Sequence, residues 1–124
     1  MPKSSMEVLT ETMFYVLMAF QKGEMCGIEI AEYLERLTEQ RIQIGPATLY
    51  TILAKFEKEK IICEVRVEGR KRTYQITEKG IQAYEAEVRR LQKCLEDARK
   101  AIETEVVLDE EKETNSQITT LSII

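Results

Sequence analysis

Residues 45–53 read GPATLYTIL and contain the start of the helix on which the predicted fold depends. Gly45 breaks the preceding segment, and Pro46 suits the first position of a helix, where no backbone N–H is needed for helical hydrogen bonds. After the proline, apolar residues recur at the spacing of one helical face: Leu49, Ile52, Leu53 and Phe56. The sequence therefore predicts a helix over about residues 46–59, with one buried face and one solvent face.

Two amphipathic segments precede this helix, and both are predicted to be helical. The first covers residues 5–22, with Ser5 as its N-cap and Gly23 as its stop. The second covers about residues 26–40. The residues predicted to face the core are Met6, Leu9, Met13, Val16, Leu17 and Phe20 in the first helix, and Ile30, Ala31, Leu34 and Leu37 in the second.

A short strand and a β-hairpin complete the predicted domain. Residues 42–44 alternate in polarity and are expected to pair as a small strand. After the third helix, residues 61–68 and 73–77 are predicted to form a hairpin, whose tip at 68–72 reads EGRKR. Its inward side chains are expected to be Cys63, Val65, Val67, Tyr74 and Ile76.

A long helix is predicted to begin at Glu78, with Thr77 as its cap. Its apolar residues lie alternately three and four positions apart, which is the spacing of a coiled coil: Ile81, Tyr84, Val88, Leu91, Leu95, Ala98 and Ile102. Because the preceding domain already has a complete core, this stripe needs a partner. We expect homodimerisation through Tyr84, Val88, Leu91, Leu95, Ala98 and Ile102.

Charge is distributed unevenly along the chain, whose net charge is −4. Residues 41–79 carry nine basic and five acidic side chains, whereas residues 106–124 carry one basic and four acidic ones. We divide the chain into a domain at 1–77, a dimerisation helix at 78–106 and an acidic tail at 107–124 that is expected to be flexible. The basic residues thus belong to the predicted domain.

The predicted order of elements is that of an α+β, mostly α, winged helix-turn-helix with a long C-terminal dimerisation helix. A helix about 10–12 Å across fits the major groove of DNA, and a basic hairpin can reach the flanking phosphates. We therefore predict that double-stranded DNA is a partner. The predicted DNA-binding residues are Pro46, Thr48, Tyr50, Thr51 and Lys55 of the third helix, and Arg70, Lys71 and Arg72 of the hairpin.

Two of these assignments have plain structural alternatives. The ring of Tyr50 can pack on the second helix as well as donate to a phosphate. The basic residues at 70–72 can serve only to protect an exposed strand edge from aggregation. The alternative function is a dimeric protein-interaction module, an adaptor or anti-regulator, that keeps the fold without binding DNA. The basic hairpin favours DNA binding, because a pure protein-binding module does not need it.

The residue content argues against an enzyme. The chain has no histidine, and it shows no nucleophile beside a base and no glycine-rich phosphate loop, so we expect no catalytic site, cofactor or metal. The three cysteines, Cys26, Cys63 and Cys94, lack paired spacing and are predicted to be reduced thiols. Cys94 lies among charged neighbours, where it could be exposed, but a redox sensor usually also requires a resolving partner, so we do not assign it that role. Without a signal peptide or a spanning segment, we expect a cytoplasmic protein with no membrane partner.

The residue pattern resembles the PadR family of bacterial transcriptional regulators, whose third helix carries Pro-x-Thr-Leu-Tyr-x-x-Leu. The resemblance covers about residues 8–95 and includes LAKFEKE at 53–59 and RTYQITEKG at 72–80. The family usually has Gly where this chain has Lys60, and Tyr where it has Ile28. The match to MarR-like winged-helix families is weaker.

The resemblance implies a homodimeric repressor whose C-terminal helix is the dimerisation element. Two domains related by a two-fold axis are expected to read a pseudo-palindromic operator. A small hydrophobic effector would be expected to bind between the protomers, where soft apolar side chains converge. The residues proposed for that site are Met6, Met13, Val88 and Leu91.

Overall fold

Helices and one small antiparallel sheet alternate in the computed structural model, which describes residues 9–111. The elements are α1 (Glu11–Phe20), β1 (Met25–Cys26), α2 (Gly27–Leu37), α3 (Pro46–Lys58), β2 (Ile62–Glu68), β3 (Lys71–Ile76) and α4 (Glu78–Glu111). The sheet order is β1-β3-β2, with antiparallel pairing throughout. The predicted fold class, a mostly α winged helix-turn-helix with a long C-terminal helix, is confirmed.

Helix α1 begins later than the sequence suggested. Thr10 is its N-cap, since Thr10 Oγ1 accepts a hydrogen bond of 3.1 Å from the Met13 N–H. The helix was predicted to include Leu9 and Thr10, but both residues precede it, so this part of the prediction is wrong. Ser5, the predicted N-cap, lies outside the described residues. The predicted stop is better placed, because Gly23 has a φ of 133° just past the helix.

Helix α2 begins at Gly27 because Cys26 and Glu29 form a capping box, in which the Cys26 N–H donates to Glu29 Oε1 at 2.9 Å. It ends at Leu37, three residues short of the predicted end. Leu37 was predicted to face the core but is exposed. The next residue, Thr38, takes the inward position and donates from Oγ1 to the Leu34 carbonyl at 2.7 Å.

The third strand of the sheet is not the one predicted. Residues 42–44 are a loop, and their alternation arises because Ile42 and Ile44 are half-buried while Gln43 is exposed. The strand that completes the sheet is instead Met25–Cys26, which pairs with Tyr74 and Thr73 of β3. A strand of two residues is too short to produce a recognisable alternation.

The hydrophobic core joins α1, α2, α3 and the sheet. The predicted helical stripes account for most of it: Met13, Val16, Leu17, Phe20, Ile30, Leu34, Leu49, Ile52, Leu53 and Phe56 are all buried. Each such side chain contributes roughly 1.5–3 kcal/mol through removal from water. The core thus holds the solvent face of α3 in a fixed position beside the hairpin.

A bulge in the hairpin changes which side chains face outward. Glu64 pairs with Tyr74 and Arg66 with Thr73, so Val65 has no partner of its own on β3. As a result Val67, which was predicted to face inward, is exposed. Strands β2 and β3 with their turn are called the wing below.

Helix α4 is capped by Thr77, as predicted, with a 3.1 Å hydrogen bond from the Gly80 N–H to Thr77 Oγ1. The same hydroxyl donates to the carbonyls that follow α3, at 2.7 Å to Lys60 and 3.0 Å to Ile61. A side chain at position 80 would collide with the Ile61 carbonyl and with Ile76. The described chain divides into two compact units between Glu87 and Val88.

Candidate nucleic-acid interface

The solvent face of α3 carries the residues predicted to contact DNA. Pro46 occupies the first turn, and Thr48 and Thr51 are exposed. The Thr51 hydroxyl donates to the Ala47 carbonyl at 2.9 Å, so its proton is engaged within the helix while its lone pairs can accept from a base amino group. Lys55, which was predicted to be on the exposed face, is half-buried.

Tyr50 both packs on the second helix and remains partly exposed to solvent, so the structure is compatible with both roles considered for it. Its side chain is 52% exposed. Its ring also lies against the first turn of α2, because a Cβ on Gly27 would come within 2.9 Å of Tyr50 Oη and 3.0 Å of Cε1. Gly27 thus permits this close approach, and the contact fixes the ring while leaving part of it to solvent.

The three basic residues of the wing tip are in different electrostatic situations. Arg70 and Lys71 are exposed and form no ion pair with any residue that the structure describes. Arg72 instead pairs with Glu64, with Nε at 2.7 Å and Nη2 at 2.6 Å from Oε1. Its guanidinium also lies 6.0 Å from the centre of the Tyr74 ring. The hydrogen bond that Arg72 donates to Glu64, more than any other contact, raises the pKa of Arg72.

A second ion pair connects the wing to the turn after α1. Arg66 Nη2 donates to Glu24 Oε1 at 2.9 Å, and its Nε lies 3.9 Å from Glu68. The hydrogen bond to Glu24 raises the pKa of Arg66. Sequence reasoning missed this pair, because 42 positions separate the two residues and no local pattern relates them.

A cavity of about 630 Å³ lies between the first turn of α2, helix α3 and the wing, and we call it the wing cleft. It is lined by Cys26, Gly27, Ile28, Glu29, Tyr50, Leu53, Ala54, Glu57, Arg70, Lys71, Arg72 and Tyr74. The fold therefore brings Tyr50 together with the three basic residues of the wing tip. Pro46, Thr48, Thr51 and Lys55 lie on α3 but do not line this cleft.

Two carboxylates also line the wing cleft. Glu29 has a lowered pKa, chiefly because it accepts the Cys26 N–H, with smaller contributions from the positive charges of Lys71 and Arg66. Glu57 is half-buried on α3. With Arg72 held by Glu64, the cleft presents Arg70 and Lys71 as its unpaired cations.

The predicted dimerisation residues differ in exposure in the isolated chain. Tyr84 is stacked on Phe14 of α1, with ring centres 5.3 Å apart and an interplanar angle of 15°. Leu91 and Leu95 are 39% and 44% exposed. Val88 and Ala98 are half-buried, and Ile102 is buried. Leu91 and Leu95 thus leave much of their apolar surface in solvent.

The residues predicted for an effector site, and Cys94, lie in different parts of the structure. Met13 is buried in the core, and Met6 lies outside the described residues. Cys94 is exposed, and the Arg90 guanidinium donates to its Sγ at 3.8 Å. Among residues 9–111, no cluster of acidic, cysteine or histidine side chains could hold a metal ion. None of the helices described combines the length and the apolar character that crossing a bilayer requires.

The sequence model of the transcriptional regulator PadR-like family matches residues 16–86. Among solved structures, a transcriptional regulator from Clostridium thermocellum is similar with a TM-score of 0.65 and 25% identity, over 75% of this chain and 97% of that one. No curated protein matches the sequence.

Two further structures are similar in fold. RosR of H. salinarum, in the complex structure of hsRosR-S1, has a TM-score of 0.63 and 19% identity over 90% of this chain and 100% of that one. Lactococcus lactis ZitR, a zinc-responsive MarR family member, has a TM-score of 0.57 and 23% identity over 99% of this chain and 81% of that one. At these identities the similarity concerns the fold alone.

Proposed function

The chain belongs to the transcriptional regulator PadR-like family, and we propose that it is a homodimeric repressor that binds a pseudo-palindromic operator in double-stranded DNA. In this proposal α3 enters the major groove through Pro46, Thr48, Tyr50, Thr51 and Lys55. The wing places Arg70 and Lys71 on the flanking phosphates, while Arg72, which the sequence assigned to the same role, is paired with Glu64. Residues 1–77 carry DNA binding, and residues 78–106 carry dimerisation. The acidic tail at 107–124 lies mostly outside the described residues.

One observation carries the proposal. The exposed Tyr50 of α3 and the unpaired cations Arg70 and Lys71 line the same cleft. A helix presenting polar groups beside a basic hairpin suits base contacts in the groove and phosphate contacts at its edge. Neither feature suits a reaction centre, so regulation by binding, without catalysis, accounts for the site.

Dimerisation is supported by the unpartnered face of α4. Burying Leu91 and Leu95 against a second copy would remove two large apolar side chains from water at the spacing of a coiled-coil seam. A two-fold axis between the protomers would set two recognition helices about one helical turn of DNA apart, roughly 34–36 Å, or a multiple of that distance.

The first prediction concerns the salt dependence of DNA binding. Arg70→Ala/Lys71→Ala should weaken binding to all DNA sequences alike, because phosphate contacts release counterions and carry little sequence information. The slope of log K against log salt should flatten by about 0.9 for each lost contact, so by up to about four across the dimer. Mobility-shift titrations on the DNA upstream of the protein's own gene, at several salt concentrations, measure both quantities.

The matched control removes two cations from α4 instead. Lys93→Ala/Lys100→Ala gives the same change of net charge on residues that are exposed and lie outside the proposed interface. It should leave the salt slope nearly unchanged. Equal affinity and slope for the wing variant and the wild type would contradict the proposal. The basic tip would then be a protected strand edge, and the dimeric interaction module would become the better assignment.

A further inference from the structure

The wing cleft has the size and lining of a small-molecule site. Its volume of about 630 Å³ falls within the roughly 300–1,000 Å³ that is usual for ligand pockets. Its floor is apolar, since Leu53, Tyr74 and Cys26 are buried there. A pocket of this size with an apolar floor exceeds what contact with a phosphate backbone alone requires.

The mouth of the cleft carries an exposed apolar residue that the DNA-binding proposal does not use. Ile28, in the first turn of α2, is 64% exposed. It follows Gly27, on which the Tyr50 ring packs, and both Ile28 and Tyr50 line the cleft. An apolar ligand body seated between these side chains would cover surface that is otherwise left in water.

The two cations of the cleft that form no ion pair with a described residue favour a ligand with a negative charge. Arg72 is held by Glu64 and requires no counter-charge from a ligand. Glu29 remains a negative charge in the cleft, and the Cys26 N–H stabilises its carboxylate at the first turn of α2. Arg70 and Lys71 remain without an ion pair among the described residues. An anionic group at the wing end would be bound by both, whereas the carboxylate of Glu57, which also lines the cleft, would repel an anion placed against α3.

We propose that the wing cleft binds a small amphipathic organic anion, an apolar body with one carboxylate, sulfonate or phosphate group. The anionic group contacts Arg70 and Lys71, and the body packs on Ile28, Tyr50 and Leu53. This binding excludes DNA, because Tyr50, Arg70 and Lys71 belong to both surfaces. The exclusion of DNA rests on the proposed function, whereas anion binding does not.

The test uses naphthalenesulfonate as the anionic probe and naphthalenemethanol as its neutral counterpart, titrated by calorimetry into the full chain without DNA. The sulfonate should bind more tightly. Arg70→Ala/Lys71→Ala should weaken sulfonate binding by about tenfold, as expected for loss of a charged hydrogen-bonding partner, and leave the neutral compound unaffected. Equal affinity for the two probes, or no binding of the sulfonate at millimolar concentration, would overturn the assignment.

The location is tested by filling the cleft. Ala54 lines it, while Ala47 is exposed on the same helix outside it. Ala54→Leu should weaken the sulfonate about tenfold through overpacking, and Ala47→Leu should have no effect. Thermal unfolding verifies that both variants fold. If Ala54→Leu does not fold, Ile28→Ala tests the location instead. Loss of the contact between Ile28 and the apolar body of the ligand should also weaken sulfonate binding. Equal binding by both variants of the cleft and the wild type would refute the location.

Competition separates this inference from the proposed function. Saturating sulfonate should release the wild-type protein from operator DNA in a mobility-shift assay, and naphthalenemethanol should release it less. Operator binding that persists in a protein shown to be saturated with sulfonate would overturn the exclusion of DNA. Failure to bind DNA with no probe present would refute the proposed function alone, and the calorimetric result would stand.

Discussion

Lys60 has a left-handed backbone conformation, which residues other than glycine rarely adopt. It follows the end of α3 with a φ of 65°. Its N–H donates to the Glu57 carbonyl at 3.0 Å, and the next N–H, of Ile61, donates to Phe56 at 2.8 Å. These two bonds form a Schellman motif, which glycine completes without steric cost. This geometry gives a physical reason for the glycine that PadR-like sequences resembling this one usually have at the position.

We expect Lys60→Gly to stabilise the fold by about 0.5–1 kcal/mol, because the left-handed conformation costs an L-residue about that much more than glycine. Chemical denaturation monitored by circular dichroism measures the change. Lys58→Gly is the matched control, since Lys58 is exposed in the last turn of α3 with no such strain. It should destabilise by roughly 0.5–1 kcal/mol instead. A loss of stability for both variants would show that strain at Lys60 is negligible.

Thr73 lowers the stability of the fold for a different reason, an unsatisfied buried hydroxyl. Its side chain is buried in β3, and its hydroxyl has no hydrogen-bond partner within the described part of the chain. A buried, unsatisfied hydroxyl lowers stability relative to an apolar side chain of the same shape. No polarity pattern in the sequence indicated this residue, because threonine is common in strands of either exposure.

At the scale of elements, the helices could be predicted more closely than the sheet. The stripes of α1, α2 and α3 depend on local spacing, and the N-cap of α4 on one residue beside the turn. Strand β1 could not be predicted, because it consists of two residues whose partners lie almost fifty positions away in β3. The exposure of Val67 could not be predicted either, since it follows from a bulge that only the pairing register reveals.

The candidate site likewise contains features that the sequence predicts and features that it does not. The basic tip and the exposed face of α3 are visible in the sequence, since each is local. The Glu64–Arg72 and Glu24–Arg66 pairs are not, because they depend on strand register and on the turn before β1. The structure thereby changes the number of cations available to DNA, because Arg72, predicted with Arg70 and Lys71 to contact DNA, is held by the carboxylate of Glu64.

We expect Glu64 to limit the affinity of the wing for DNA by holding Arg72. Glu64→Ala should free that guanidinium for a phosphate, tighten operator binding and steepen the salt slope by about 0.9 per protomer. Glu68→Ala removes the same charge from the wing without releasing Arg72, since the contact of Glu68 is a 3.9 Å approach of Arg66. Its salt slope should change less. Identical slopes for the two variants would mean that only net charge matters.

At the scale of the whole molecule, the proposed dimer rests on the exposed leucines of α4, Leu91 and Leu95. A heptad seam over Leu91, Leu95, Ala98 and Ile102 is longer than a monomeric surface helix needs, and its two leucines are exposed. In the proposed function, DNA binding by paired domains would depend on that seam, because a single winged domain would contact one half-site only. Loss of the dimer should therefore cost specific DNA binding even though the wing and α3 are unchanged.

The last prediction tests this dependence with Leu91→Asp/Leu95→Asp, which places two charges in the seam. Sedimentation velocity at micromolar concentration should give a dimer for the wild type and a monomer for the variant, because burying unpaired carboxylates costs more than the interface returns. Gln82→Asp/Gln92→Asp is the control. It adds the same charge at exposed positions of α4 outside the seam, so it should remain dimeric and bind the operator. A monomeric wild type, or a seam variant that still sediments as a dimer, would show that α4 does not assemble the protein.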